Sequence, residues 1–168
     1  MTAMEKLEAL SYLVTVIGLP LAIIVYIREQ RKERQNDEEE LYLQLSDEYA
    51  KFLRLVLANA DLHLMTENAP AIPLTADQIE RQNILFEILI ALFEQAYILV
   101  YEQNMSRQAS RLWRTWEDYM RVWCRRADFR AQLPALLDGE DPEFQGYITQ
   151  IASEQNRKTA APNYLRGA

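Results

Sequence analysis

Two sets of side chains in this sequence have the type and spacing to do chemistry. Glu87 and Glu94 lie seven residues apart, and Arg107, Arg111, Arg114, Arg121 and Arg125 recur at helical steps. Seven residues are close to two helical turns, so both carboxylates fall on one face, as the donors of a carboxylate metal site in a helical bundle do. Such a site also draws Glu-x-x-His pairs from neighbouring helices, and this chain has one histidine, His63, and no Glu-x-x-His. The two glutamates therefore read as the solvated or arginine-paired edge of a core helix, with no metal and no cofactor expected. Cys124 stands between Trp123 and Arg125 with no histidine beside it to act as base, and there is no Gly-x-Ser-x-Gly elbow. Four scattered glycines cannot form a phosphate-cradling loop. No catalytic residue is expected, and the chain reads as a non-enzyme.

The arginines carry more. A guanidinium binds carboxylates and phosphates in a planar, two-pronged way, so a row of them on one helix face makes an anionic docking surface. Its partners could be lipid headgroups, an anionic small ligand or an acidic protein. The competing expectation is pairing with acidic residues over 80–102 or 37–40 within the molecule or between copies. Trp113, Trp116 and Trp123 fall on the opposite face at the spacing of an ordinary buried seam and are assigned to the core. The formal charge of −7 argues against general nucleic-acid binding. One cysteine excludes an intrachain disulfide framework and fits a reducing compartment.

These side chains must be positioned by helices. Leu41, Leu45, Tyr49, Phe52, Val56 and Ala60 repeat at three- and four-residue steps, with no Gly or Pro from 28 to 60. Pro70 and Pro73 mark a loop, and Thr75 with Gln78 forms a capping box that starts a helix running to about position 104. Its segment 84–101 is apolar almost all round, with Glu80, Glu87, Glu94, Gln95 and Glu102 in a narrow polar wedge, which places it mid-bundle. It is not expected to cross a membrane, because each carboxylate near a span's centre costs about 2.5–3.5 kcal/mol. A third helix is expected over 106–133, ending at Pro134, and a last one over 142–155, with a flexible tail over 156–168.

Residues 9–27 form an uncharged run. At ~1.5 Å rise per residue a helix of that length reaches across a ~30 Å hydrocarbon core, and a retained transmembrane helix is expected. The leader over 1–8 lacks the basic region of a cleaved signal. Arg28, Arg31, Lys32 and Arg34 follow the run as membrane-interface residues, against Lys6 alone on the other side, which orients the N-terminus outside and the remainder in the cytoplasm. Gly18 and Pro20 mark a packing notch or a pore-lining bend in an oligomer.

The segment Leu92-Phe93-Glu94-Gln95-Ala96-Tyr97 and the pattern Trp113-x2-Trp116-Glu117-x-Tyr119-x3-Trp123-x-Arg125-Arg126-x2-Phe129 resemble bacterial proteins with one N-terminal span and a small cytoplasmic helical domain. The resemblance implies that layout, in a bacterial inner membrane, and carries no activity. The sequence thus predicts an all-α chain: a transmembrane helix over 9–27, then a helical stalk and small cytoplasmic bundle over 28–155. The leading function is a membrane-anchored interaction or scaffold protein that self-associates or docks a protein partner. The competing ones are an oligomeric ligand-sensing effector or channel, whose Gly18 and Pro20 line a pore, and a small membrane-bound enzyme.

Overall fold

A computed structural model of the chain describes residues 19–66, 73–101, 105 and 107–160. Among the described residues all regular structure is helical: α1 (Leu19–Ala58), a 3-10 turn (Ala60–Leu62), α2 (Ala76–Val100), α3 (Arg107–Trp123), α4 (Ala127–Leu136) and α5 (Pro142–Ala160). The chain divides into two units, Met1–Leu41 and Tyr42–Ala168. Of the expected span, 9–18 lie outside the described residues, Gly18 among them, as does the leader over 1–8. From Leu19 the backbone is helical through Pro20, Arg28, Arg31, Lys32 and Arg34, and Ile23, Val25, Tyr26 and Ile27 are exposed.

In the second unit, four positions of the apolar strip of α1 are covered within the chain. Leu45, Tyr49, Phe52 and Val56 are all buried. The reason is aromatic: Tyr49 stacks on Tyr119 at 4.2 Å between ring centroids, Phe52 meets Trp123 edge-on at 5.6 Å, and the Trp123 indole N–H donates to the Tyr49 hydroxyl at 3.1 Å. One helical turn of α1 thereby buries two large rings against α3, and such pairs add to the gain from burial itself. The helix stops at Asn59, whose side-chain amide donates back to the Leu55 carbonyl at 2.9 Å.

The Thr75 capping box forms as the sequence predicts, with Thr75 Oγ1 accepting from the Gln78 N–H and Gln78 Oε1 from the Thr75 N–H. From there α2 packs against α3, α4 and α5, burying Leu85, Phe86, Leu89, Ile90, Phe93, Ala96 and Tyr97. Its last helical residue is Val100. Among the described residues it is the one helix long and apolar enough to cross a membrane, but 44% of its apolar window is buried inside the molecule.

Boundaries in the second half of the chain differ from expectation. The predicted single helix over 106–133 is two helices, broken at Cys124, Arg125 and Arg126. Arg126 takes an extended conformation (φ −70, ψ 128), and the Arg130 guanidinium donates to the carbonyls of Cys124 and Arg125, covering the acceptors freed by the break. Pro134 does not end α4 but sits inside it. The last helix runs on to Ala160, so the first residues of the expected flexible tail are helical; 161–168 lie outside the described residues.

Candidate functional site

The arginine row splits into parts with different surroundings. Arg107, Arg111 and Arg114 are exposed on α3 and make no hydrogen bond or ion pair among the described residues. Arg121 is pinned. Its guanidinium donates to Glu117 one turn back and, at 2.7 Å, to Glu154 of α5, and these carboxylates push its pKa above the usual guanidinium range. The same contact holds the Glu154 carboxyl below its ordinary value. Pairing within the chain is thus realised at Arg121, with acids of α3 and α5 rather than with those over 80–102 or 37–40. Arg125 lies exposed in the α3–α4 turn.

Arg121 and Arg125 open onto a cleft of about 420 Å³ between α3 and α5, lined also by Asp118, Val122, Gln155, Lys158 and Thr159. A wider groove of about 760 Å³ runs between α4 and α5 over small and neutral polar residues such as Ala131, Thr149 and Ser153.

Sequence reasoning missed Arg126. It is 4% exposed, with its Nη1 donating to the backbone carbonyls of His63, Leu64 and Thr66 and its other nitrogens forming a two-pronged pair with Asp128. Asp128 accepts in addition from the buried Gln82 amide at 3.0 Å. Arg126 fastens the loop after α1 to the start of α4, a structural use of the group that the sequence offered for anion binding. Nothing in the Cys124-Arg125-Arg126 run separates it from its neighbours except its position one turn beyond Trp123.

The carboxylates are also redistributed. Glu87 is exposed, while Glu94 accepts from the Asp141 backbone N–H and hydrogen-bonds the Glu140 carboxyl. That acid–acid contact, with burial, raises Glu140 to about 7. Cys124 is buried, and burial pushes its thiol up to about 12, so it stays protonated and unreactive. Trp113, Trp116 and Trp123 are all buried, in agreement with their assignment to the core.

The outer face of α2 was not expected to be apolar and open. Ile84 (49% exposed), Ile88 (40%), Ala91, Gln95 and Ile98 (59%) are all exposed. Their spacing of four, three, four and three is that of a coiled-coil seam. The sequence reading left only the narrow polar wedge exposed; α3, α4 and α5 pack against one side of the helix and leave this apolar row open as well. No family of known proteins, no curated protein and no solved structure matches this chain.

Proposed function

We propose that this protein is a non-enzymatic, membrane-anchored interaction protein whose cytoplasmic helical bundle self-associates. The anchor is the uncharged run over 9–27, with the basic residues behind it on the cytoplasmic side. The observation that carries the association is the open row on α2. Five positions at heptad spacing extend over about 21 Å of helix, with the small Ala91 at the centre where two helix axes could approach closely. Two copies packed antiparallel set Ile84 of one against Ile98 of the other and Ala91 against Ala91. Gln95 supplies the single polar seam position that selects register.

Tethering to a membrane raises the local concentration of copies, so a modest seam suffices for assembly. The test is the mass of the detergent-solubilised full chain by light scattering, with Ile88→Glu as the variant. The parent is expected to be oligomeric and Ile88→Glu monomeric, with unchanged helical circular dichroism because position 88 is already exposed. A parent that is monomeric at every concentration, or an oligomer indifferent to Ile88→Glu, overturns the reading. Partition of the isolated α2 face into lipid in place of pairing overturns it as well.

A further inference from the structure

We propose that Arg107, Arg111 and Arg114 make one face of α3 a docking surface for the anionic lipid headgroups of the membrane that carries the chain. This rests on the anchor reading above and does not use the α2 seam. The three side chains recur at steps of four and three, so they share one side of the helix. All are exposed and none has a hydrogen bond or ion pair among the described residues, although the chain carries more acid than base. Other arginines of the bundle are tied: Arg81 to Asp61 and Asp77, Arg121 to Glu117 and Glu154, Arg126 to Asp128. Like charges one turn apart weaken a helix, and these begin in the first turn of α3, which holds no acid and where the helix dipole disfavours cations. Helix stability therefore does not account for their placement.

Position selects the occupant. Tyr119 stacks on Tyr49 and also interacts with Tyr42, while Trp123 meets Phe52, so α3 runs parallel to this part of α1. Its first turns lie towards the end at which the chain enters the bundle, at Tyr42. Residues 28–41, between the proposed anchor and that point, span ~21 Å as a helix, which holds a lipid surface at high effective concentration.

The end of α2 reaches the same place. The Tyr101 ring lies 5.2 Å from that of Trp113 on α3, and Ile98 and Leu99 beside it are 59% and 48% exposed. Arginines next to open aliphatic side chains suit a lipid interface, where the charges meet headgroups and the apolar groups enter the acyl boundary. Asp118, one turn beyond Arg114 on the same side, is exposed and opposes an anionic surface.

The experiment reads the full chain in vesicles, with a bimane on Gln108→Cys and a nitroxide on the lipid headgroup as its short-range quencher; the native Cys124 is buried and stays unlabelled. Quenching is expected when phosphatidylglycerol is mixed into phosphatidylcholine, and it should disappear in high salt, which screens exposed charges. Arg107→Gln, Arg111→Gln and Arg114→Gln should each lower the docked-to-free ratio by about fivefold, the worth of one basic residue at an anionic surface. Asp118→Asn should raise it. Arg54→Gln and Arg157→Gln, at exposed arginines elsewhere, should leave it unchanged.

Quenching that ignores phosphatidylglycerol or salt, or that falls equally with Arg54→Gln, overturns the assignment. So does quenching that vanishes when the chain is diluted in lipid, which gives the face to a second copy. Binding of poly-L-glutamate by these arginines with no response to phosphatidylglycerol gives it to an acidic protein and overturns it too. Flotation separates the two readings. A chain that floats with phosphatidylcholine alone but shows no lipid-dependent quenching loses the docking and keeps the anchor. One that floats only with phosphatidylglycerol, through these arginines, keeps the docking and loses the anchor.

Discussion

Three tryptophans on one helix carry different chemistry at their indole nitrogens. Trp123 and Trp113 donate to the hydroxyls of Tyr49 and Tyr147, whereas the buried Trp116 N–H has no hydrogen-bond partner among the described residues. Trp116→Ala is expected to cost about 3–5 kcal/mol, since it empties a fully enclosed ring site. Trp116→Phe should cost much less than Trp123→Phe, which leaves the buried Tyr49 hydroxyl without its donor, a penalty of about 1–3 kcal/mol. Chemical denaturation of the three variants checks the order, and equal costs for the two Phe variants would remove the distinction. Arg126 is the second residue with a large expected effect. Arg126→Met should cost about 3–5 kcal/mol, as for other broken buried pairs, and should expose residues 63–66 to protease. Native-like resistance of that loop would show that the three carbonyl contacts do not hold it. The tryptophan face was legible from spacing alone, because apolar periodicity reports burial. Arg126 was not, because its burial depends on where a loop sixty residues earlier in the chain comes to rest.

At the scale of elements, the turn between α4 and α5 is held to α2 by acids. Glu94 receives the Asp141 N–H and meets the Glu140 carboxyl, while Asp141 caps α5 by accepting from the N–H groups of Glu143 and Phe144. The ionisable group that acts on Glu140 is itself an acid, Glu94 of α2. Folded Glu140 keeps its proton up to about 7, above the ordinary glutamate value of 4.5. Between those limits the folded state binds a proton that the unfolded chain has released, so this contact favours folding most at low pH. Stability should fall as pH rises through that window. Melting temperatures between pH 5 and 8 should show the fall, and Glu140→Gln, which stays neutral, should flatten it; a parent profile already flat there would refute the latch. The sequence made α1, the capping box and α2 readable, since period and cap signals are local. The break at Cys124 was unreadable, because no Gly or Pro marks it and tertiary contacts of Arg126 and Arg130 with distant or freed carbonyls produce it.

For the whole molecule, the two faces of α2 show why periodicity predicted an interior helix and yet not its surroundings. An all-round apolar helix has more surface to hide than α3, α4 and α5 can cover, and sequence spacing does not say which side is left open. The uncovered row is what the association reading uses, and the proposed membrane anchor would set where it acts. Four basic residues, Arg28, Arg31, Lys32 and Arg34, follow the uncharged run and Lys6 precedes it, so the proposed orientation, with positive charge kept in the cytoplasm, puts the bundle inside. The single native cysteine is buried and its thiol is raised to about 12, so it should be silent to a membrane-impermeant maleimide. That silence lets Thr2→Cys and Ala168→Cys be read directly in intact cells. Thr2→Cys is expected to label from outside and Ala168→Cys only after the membrane is opened. Labelling in the reverse order would put the bundle on the far side of the membrane. It would remove the charge argument from which the cytoplasmic assignment is built.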